Sequence, residues 1–231
     1  MQRSQIQAAI ADAKQLLEKN QIKLPMFGYW QLTDWTARKA DLDTIRQTKL
    51  GWDVTDFGSD TFTKIGAVLF TIRNGIQGKS EVGCPYAEKL IILKDSQLLP
   101  LHFHYNKTED IINRGGGILS IQVFNSLDNE TVDYESDVSV FCDGVCHTVK
   151  AGTTIEITPG NSMTITPFLY HLFLAKADCG DVIVGEVSAI NDDEVDNHFA
   201  VQMKRFSEIE EDEIIVVPLL NEYESLLFPK Q

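Results

Sequence analysis

The segment Pro100-Leu-His-Phe-His-Tyr-Asn-Lys-Thr-Glu-Asp-Ile-Ile-Asn-Arg-Gly-Gly-Gly117 joins two histidines, a glutamate and a glycine cluster. His102 and His104 are two residues apart. Residues i and i+2 of a strand face the same way, so both imidazoles point to one side. Four residues separate His104 from Glu109, enough for a tight turn. That places Glu109 at the start of the antiparallel neighbour, facing the same pocket. Imidazole nitrogens with one carboxylate oxygen suit Mn, Fe, Co, Ni or Zn. A further imidazole must come from elsewhere in the chain. His171, in Pro167-Phe-Leu-Tyr-His171, lies on a later segment of strand character. A lone histidine on an apolar strand is more often a packing residue. The whole set, His102, His104, Glu109 and His171, points instead to a bound divalent metal.

Around this segment the chain reads as many short strands. Apolar runs stand at 66–73, 89–94, 111–113, 117–124, 138–141, 145–149, 154–157, 163–166, 171–174 and 182–190. Turn residues punctuate them, among them Asn74-Gly75, Asp143-Gly144, Pro159-Gly160 and Cys179-Gly180. This texture indicates a sandwich or barrel. No helical stripes lie between the strands, which argues against a parallel α/β sheet. The start of the chain differs. Ile6, Ile10, Ala13, Leu16 and Leu17 form one stripe of a helix over 4–20, with Ser4 as its cap. A second helix is expected over 33–47, carrying Trp35, Leu42 and Ile45. Residues 1–60 thus form a helical arm packed on a barrel of residues 61–231, one structural domain overall. The acidic and then apolar tail, with Ile214–Leu220, reads as an extra strand or arm that reaches toward another subunit.

Composition narrows the partners. The chain has 231 residues, 43% of them hydrophobic, enough for a sizeable core. Its net charge of -14 repels phosphate backbones, which argues against nucleic acid and anionic membranes. No apolar run reaches the ~20 residues that a bilayer crossing needs. The first 20 residues lack the apolar core of a signal peptide, so a cytoplasmic location is expected. Cys84, Cys142, Cys146 and Cys179 form no tight pair and read as reduced and mostly buried or incidental. Cys142-x3-Cys146-His147 fits a hairpin around Asp143-Gly144 better than a metal site. Gly115–Gly117 lacks the strand–glycine–helix context of a phosphate loop and reads as a turn.

The central segment resembles the first motif of the cupin superfamily, and Gly160 to His171 resembles the second. Ser96 and Phe168 stand where that superfamily often has glycine. Longer stretches, Leu50–Gly58, Phe70–Gly75, Pro85–Lys89, Glu109–Gly117, Gly185–Ser188 and Asn191–Asp193, resemble the D-lyxose isomerase family of cupins over nearly the whole chain. The resemblance implies an all-β, jelly-roll barrel. It also implies a Mn-dependent aldose–ketose isomerase for D-lyxose and D-mannose, and a homodimer. Co²⁺ or another transition metal would accept the same donors.

Moving a carbonyl between C1 and C2 of a sugar requires a stabilised enediolate and a carboxylate that takes and returns a proton. Glu186 is the leading candidate, in the apolar run Val182-Ile-Val-Gly-Glu-Val that should line the barrel; an edge-strand glutamate in solvent is the alternative. Glu210 is a rival base if the tail folds over the pocket, though such acidic runs are more often solvated. Lys89 is placed to polarise a sugar oxygen or simply to begin a strand at the surface. Asp192 and Asp193, with Asp196 and Asn197, either bind sugar hydroxyls or cap a turn, and Glu109 touches both metal and substrate. The same ligands would serve an iron dioxygenase or a non-catalytic sugar-binding cupin, because a donor set does not fix a reaction.

Overall fold

The computed structural model describes residues 1–193 and 195–229. Helix α1 (Arg3–Lys19) opens the chain, followed by α2 (Leu32–Ala37) and α3 (Asp43–Gln47). Then come β1 (Gly51–Thr55), β2 (Ala67–Ile76), β3 (Lys79–Leu93), β4 (Leu98–His104), β5 (Glu109–Gly116), β6 (Leu119–Ser126) and β7 (Val132–Asp133). The chain continues through β8 (Val138–Cys142), β9 (Val145–Val149), β10 (Thr154–Ile157), β11 (Ser162–Ile165), β12 (Leu169–Ala175), β13 (Val182–Ser188) and β14 (Asn197–Phe199), and then α4 (Tyr223–Leu227). One sheet runs β1-β2-β3-β13-β5-β11-β8-β9 and faces a second that runs β10-β6-β12-β4-β14, with β7 beside β6. This is the all-β jelly-roll barrel of the cupin type.

Strand periodicity explains the layers. Val68, Phe70, Leu90, Ile92 and Ile183 turn outward and pack under Ile6, Ile10, Ala13 and Leu17 of α1. Their neighbours Ala67, Leu69, Ile91, Leu93, Val182 and Val184 turn inward, against Leu99, Ile121, Val123 and Phe173 of the facing sheet. Both faces are covered, so these strands read as continuous apolar runs rather than alternating ones. Lys89 and Glu186 keep the inward phase of Ile91 and Val184. They sit opposite each other on β3 and β13.

Several expected boundaries move. The helix expected over 33–47 is broken into α2, a 3-10 turn at Lys39–Asp41, and α3. The bend lets both Trp35 and Leu42 pack around Tyr223 and Leu227 of α4, and that burial overrides local helix propensity. A strand, β1, lies inside the stretch read as helical. It pairs with β2 from Gly51↔Thr71 to Thr55↔Ala67. The strand read as starting at Lys89 begins at Lys79, because β2 and β3 form a hairpin that runs out into solvent. The tail from Glu208 forms no strand among the described residues. It folds back on its own barrel: Glu210 bridges to Gln2, Val217 exchanges hydrogen bonds with Gln7, and Leu220 donates to the carbonyl of Trp52. Val217 and Leu219 of its apolar stretch are buried beside α1, whereas Ile214 is exposed.

The turns read at Asp143-Gly144, Pro159-Gly160 and Cys179-Gly180 hold, but Asn74-Gly75 lies inside β2, where Gly75 pairs with Gly83, and the chain turns at Gln77-Gly78 instead. Asp143 and Gly144 both have positive φ and close the β8–β9 hairpin. All four cysteines are free. Ser96 (φ 64°) and Phe168 (φ 62°), which stand at positions often held by glycine, adopt the left-handed backbone that glycine favours. Gly116 ends β5 with φ 83°; a Cβ there would lie 2.2 Å from the carbonyl oxygen of Asp181, so the cluster lets two strands close in and forms no phosphate loop.

Arg3 anchors the arm. It is fully buried and donates to Glu211 at 2.6 Å and to Glu222. We expect Arg3→Ala to lower the unfolding free energy by about 2 kcal/mol, the cost of unpairing a charged hydrogen-bonded group, read from the urea midpoint. Lys204→Ala, which removes an exposed pair with Glu208, should leave that midpoint unchanged.

Candidate metal centre

Strands β4 and β12 lie side by side in the smaller sheet, with His171 directly across from His102. His104 projects from β4 on the same side as His102. Ring centroids stand 4.2 Å apart for His102 and His171, and 5.0 Å apart for His102 and His104. One nitrogen from each imidazole falls within 4.8 Å of the others, and all three residues are buried. Glu109 arrives from the opposite sheet. Its Oε1 is 3.4 Å from Nε2 of His104 and 3.4 Å from Nε2 of His171. Glu109 was expected on the antiparallel neighbour of β4. In fact β4 is flanked by β12 and β14, and Tyr105–Thr108 carry the chain across the barrel. The turn is fixed by Asp196, whose carboxylate accepts from the amides of Asn106 and Lys107. Capping this turn is therefore a role of Asp196.

The donor set fits a transition metal. Nδ1 of His102 is 2.8 Å from the carbonyl oxygen of Pro100, and Nδ1 of His171 is 3.0 Å from that of Leu169. A backbone carbonyl can only accept, so each Nδ1 carries the proton and each Nε2 keeps a lone pair. Nε2 of His171 is buried without a hydrogen-bond partner. Burial pushes the His171 imidazole down to about 4, despite Glu109 beside it. Burial and then His171 push His102 well below the ordinary histidine value. Burial alone would raise Glu109, but Lys107 and then His104 hold its carboxyl well below the usual range. Neutral imidazoles around an ionised carboxylate are the state that binds a cation.

A second layer adjoins the ligands. Lys107 is buried; its Nζ lies 2.8 Å from Oε2 of Glu109, 2.9 Å from Oε1 of Glu186 and 3.2 Å from Oδ1 of Asn191. Burial opposes its charge, but Glu109 and Glu186 raise it above the ordinary lysine value, so it stays a cation. Lys89 lies 3.5 Å from Glu186, 3.1 Å from Asn191 and 3.7 Å from Asp193. Arg205 clamps Asp193 and Asp53 at 2.6 Å each. Burial opposes the ionisation of Asp193, yet Arg205, then Lys89, hold it well below its ordinary value. Phe57, Leu99, Phe173 and Phe199 form the apolar side of the cavity.

The structure thus brings His102, His104, Glu109, His171, Glu186, Lys89 and Asp193 together. Asp192 is exposed and lines an outer cleft instead. Glu210 does not join them. Its backbone is pinned to Met1 and Arg3 and its side chain is exposed, so the tail carries it away from the pocket. Sequence reasoning passed over Lys107, Asn191 and the Asp53–Arg205 pair. Lys107 stands two before Glu109, the same spacing that pairs His102 with His104.

The family profile described as D-lyxose isomerase matches residues 1–223. A D-lyxose/D-mannose isomerase of Escherichia coli O157:H7 is 42% identical over 225 residues, 96% of this chain and 98% of that protein. One of Serratia proteamaculans is 39% identical over 224 residues, 96% and 98% of the two chains. Among solved structures, the L-ribose isomerase of Cellulomonas parahominis with L-ribose has a TM-score of 0.59 at 14% identity, covering 91% of this chain and 98% of that one. That likeness is one of fold. A cupin barrel with this interior is, in this setting, a sugar aldose–ketose isomerase. The chain belongs to the D-lyxose isomerase family.

Replacing His102 or His171 with Asn should cut bound transition metal at least about tenfold, the scale on which even supporting residues of a metal site act, by elemental analysis of purified protein. His147→Asn, on the exposed β9, should leave metal content unchanged.

Proposed function

We propose that this protein interconverts D-lyxose with D-xylulose, and D-mannose with D-fructose, using a divalent metal, Mn²⁺ first, held by His102, His104, Glu109 and His171. The observation that carries the reading is Lys107, which bridges a metal-ligand carboxylate, Glu109, and a second buried carboxylate, Glu186. The curated relatives named for the same two sugars support the substrates. When bound, the cation supplies Lewis-acid stabilisation to the oxygens on C1 and C2 of the substrate.

Glu186 takes the proton from C2 of the aldose and returns it to C1. The electron pair left on C2 forms the C1–C2 double bond, and the carbonyl oxygen becomes the enediolate oxygen. Lys107, kept as a cation, stands beside the acceptor and offsets that negative charge. Lys89 adds a second ammonium on the same side. Asn191 accepts from both and fixes their spacing. The second proton passes from O2 to O1, so atoms balance with no oxidant or reductant. The phenylalanines on the far side keep water from the enediolate.

The rest of the reading follows the family. The arm, residues 1–60, and the barrel, residues 61–231, pack as one domain, as the burial of α1 on the larger sheet supports. The protein works as a homodimer in the cytoplasm. No helix among the described residues is long and apolar enough to cross a membrane. A dioxygenase on the same ligands is the weaker reading, because Lys107, Lys89, Glu186 and Asp193 make the interior ionic and suited to a polyol.

Metal-loaded protein should convert D-lyxose and D-mannose to ketoses, lose activity on chelation and recover it with Mn²⁺. Glu186→Gln should keep its metal and lose about 100-fold or more in kcat, the scale of a lost general base. Full turnover by metal-replete Glu186→Gln would remove that base. Oxygen uptake without ketose would favour the dioxygenase.

A further inference from the structure

The cavity at the ligands measures about 40 Å³. A water needs roughly 10–15 Å³ of such space, so the cavity holds only a few water-sized groups. That suffices for the C1–C2 end of an open-chain sugar and not for its remaining carbons. These must lie elsewhere. A cleft of about 540 Å³ adjoins the cavity, and Lys107 and Asp193 line both. A third cavity, about 330 Å³ around Met1, Asp60 and Glu210, shares no lining residue with the metal centre.

The walls of the adjoining cleft match a polyol tail. Asn106 and Gln77 supply amides that can both donate and accept, while Ile190 and Phe206 supply apolar surface for C–H groups. Asn191 ties the two spaces together. Its Oδ1 accepts from Lys107 and Lys89 on the inner side, and its backbone amide donates to Oδ1 of Asn74.

We infer that this cleft is the subsite for the non-reacting end of the sugar, and that it sets the chain length the enzyme accepts. The inference rests on the isomerase reading above. With C1 and C2 held by the metal centre, the chain passes Lys107 and Asp193 and its last carbons enter the cleft. A hexose reaches one carbon farther than a pentose, and the roomy cleft admits it.

Ala189, just after β13, and Val195 both line the cleft and are exposed, so a large side chain at either narrows it without disturbing the core. In Ala189→Trp, kcat/KM should fall at least about tenfold more for D-mannose than for D-lyxose, the discrimination that one carbon's fit can produce. Metal content should stay at the wild-type level. Val195→Trp gives a second reading should the first variant fail to fold. An unchanged mannose-to-lyxose ratio in the folded variants overturns the subsite while leaving the isomerase reading intact. Absence of turnover of either sugar by the wild type overturns the isomerase reading and the subsite with it.

Discussion

A buried ammonium between two buried carboxylates is the contact that organises this interior. Glu109 and Glu186 face the same small space, and two carboxylates held close repel each other unless a counter-ion lies between them. Lys107 resolves the conflict at 2.8 and 2.9 Å. Burying such charges is expensive and is offset only by good geometry and complete hydrogen bonding. Here the geometry comes from β5, β13 and the Tyr105–Thr108 turn, and Asp196 and Asn191 supply further hydrogen bonds. The result is an ionised carboxylate beside the three histidines, next to a second carboxylate turned away from them.

The barrel makes this possible because its sheets face each other and alternate their side chains. One phase of β3 and β13 packs under α1; the other phase feeds Lys89 and Glu186 inward. The smaller sheet contributes His102, His104 and His171 from adjacent strands. The larger sheet contributes Glu109. Imidazoles and carboxylates therefore approach the same point from opposite walls. Arg205, reaching from the segment after β14 to Asp53 on β1, holds Asp193 at the rim.

Much of this was legible in the chain. Two histidines at strand spacing, a carboxylate soon after and a distant histidine point to one cluster without any knowledge of topology, and the four side chains do come together. The inward position of Glu186 follows from the apolar run around it. Other features were hidden for identifiable reasons. Lys107 reads as a solvated turn residue, because lysines are rarely buried; only its spacing to Glu109 betrays it. Asp53 masks β1, since aspartate is depleted in strands and this one is there for Arg205. The sheet that holds Glu109 could not be read from a short connection, because local spacing does not tell a hairpin from a crossing between sheets. The path of the tail was hidden because its contacts to Gln2, Gln7 and Trp52 link residues far apart in the chain, and it leaves Glu210 on the solvated side that the sequence offered as the alternative. Ser96 and Phe168 keep a glycine-like backbone without the glycine, and only coordinates reveal that.

In the proposed holoenzyme three imidazoles and one carboxylate, drawn from facing sheets, converge on one cation. X-ray absorption at the metal edge of Mn²⁺-loaded protein tests that convergence most directly. The expected shell scatters from three histidine rings and oxygen, and Glu109→Ala should lose one oxygen donor but no ring. A shell of oxygen alone, or one with fewer than three imidazoles, would contradict it.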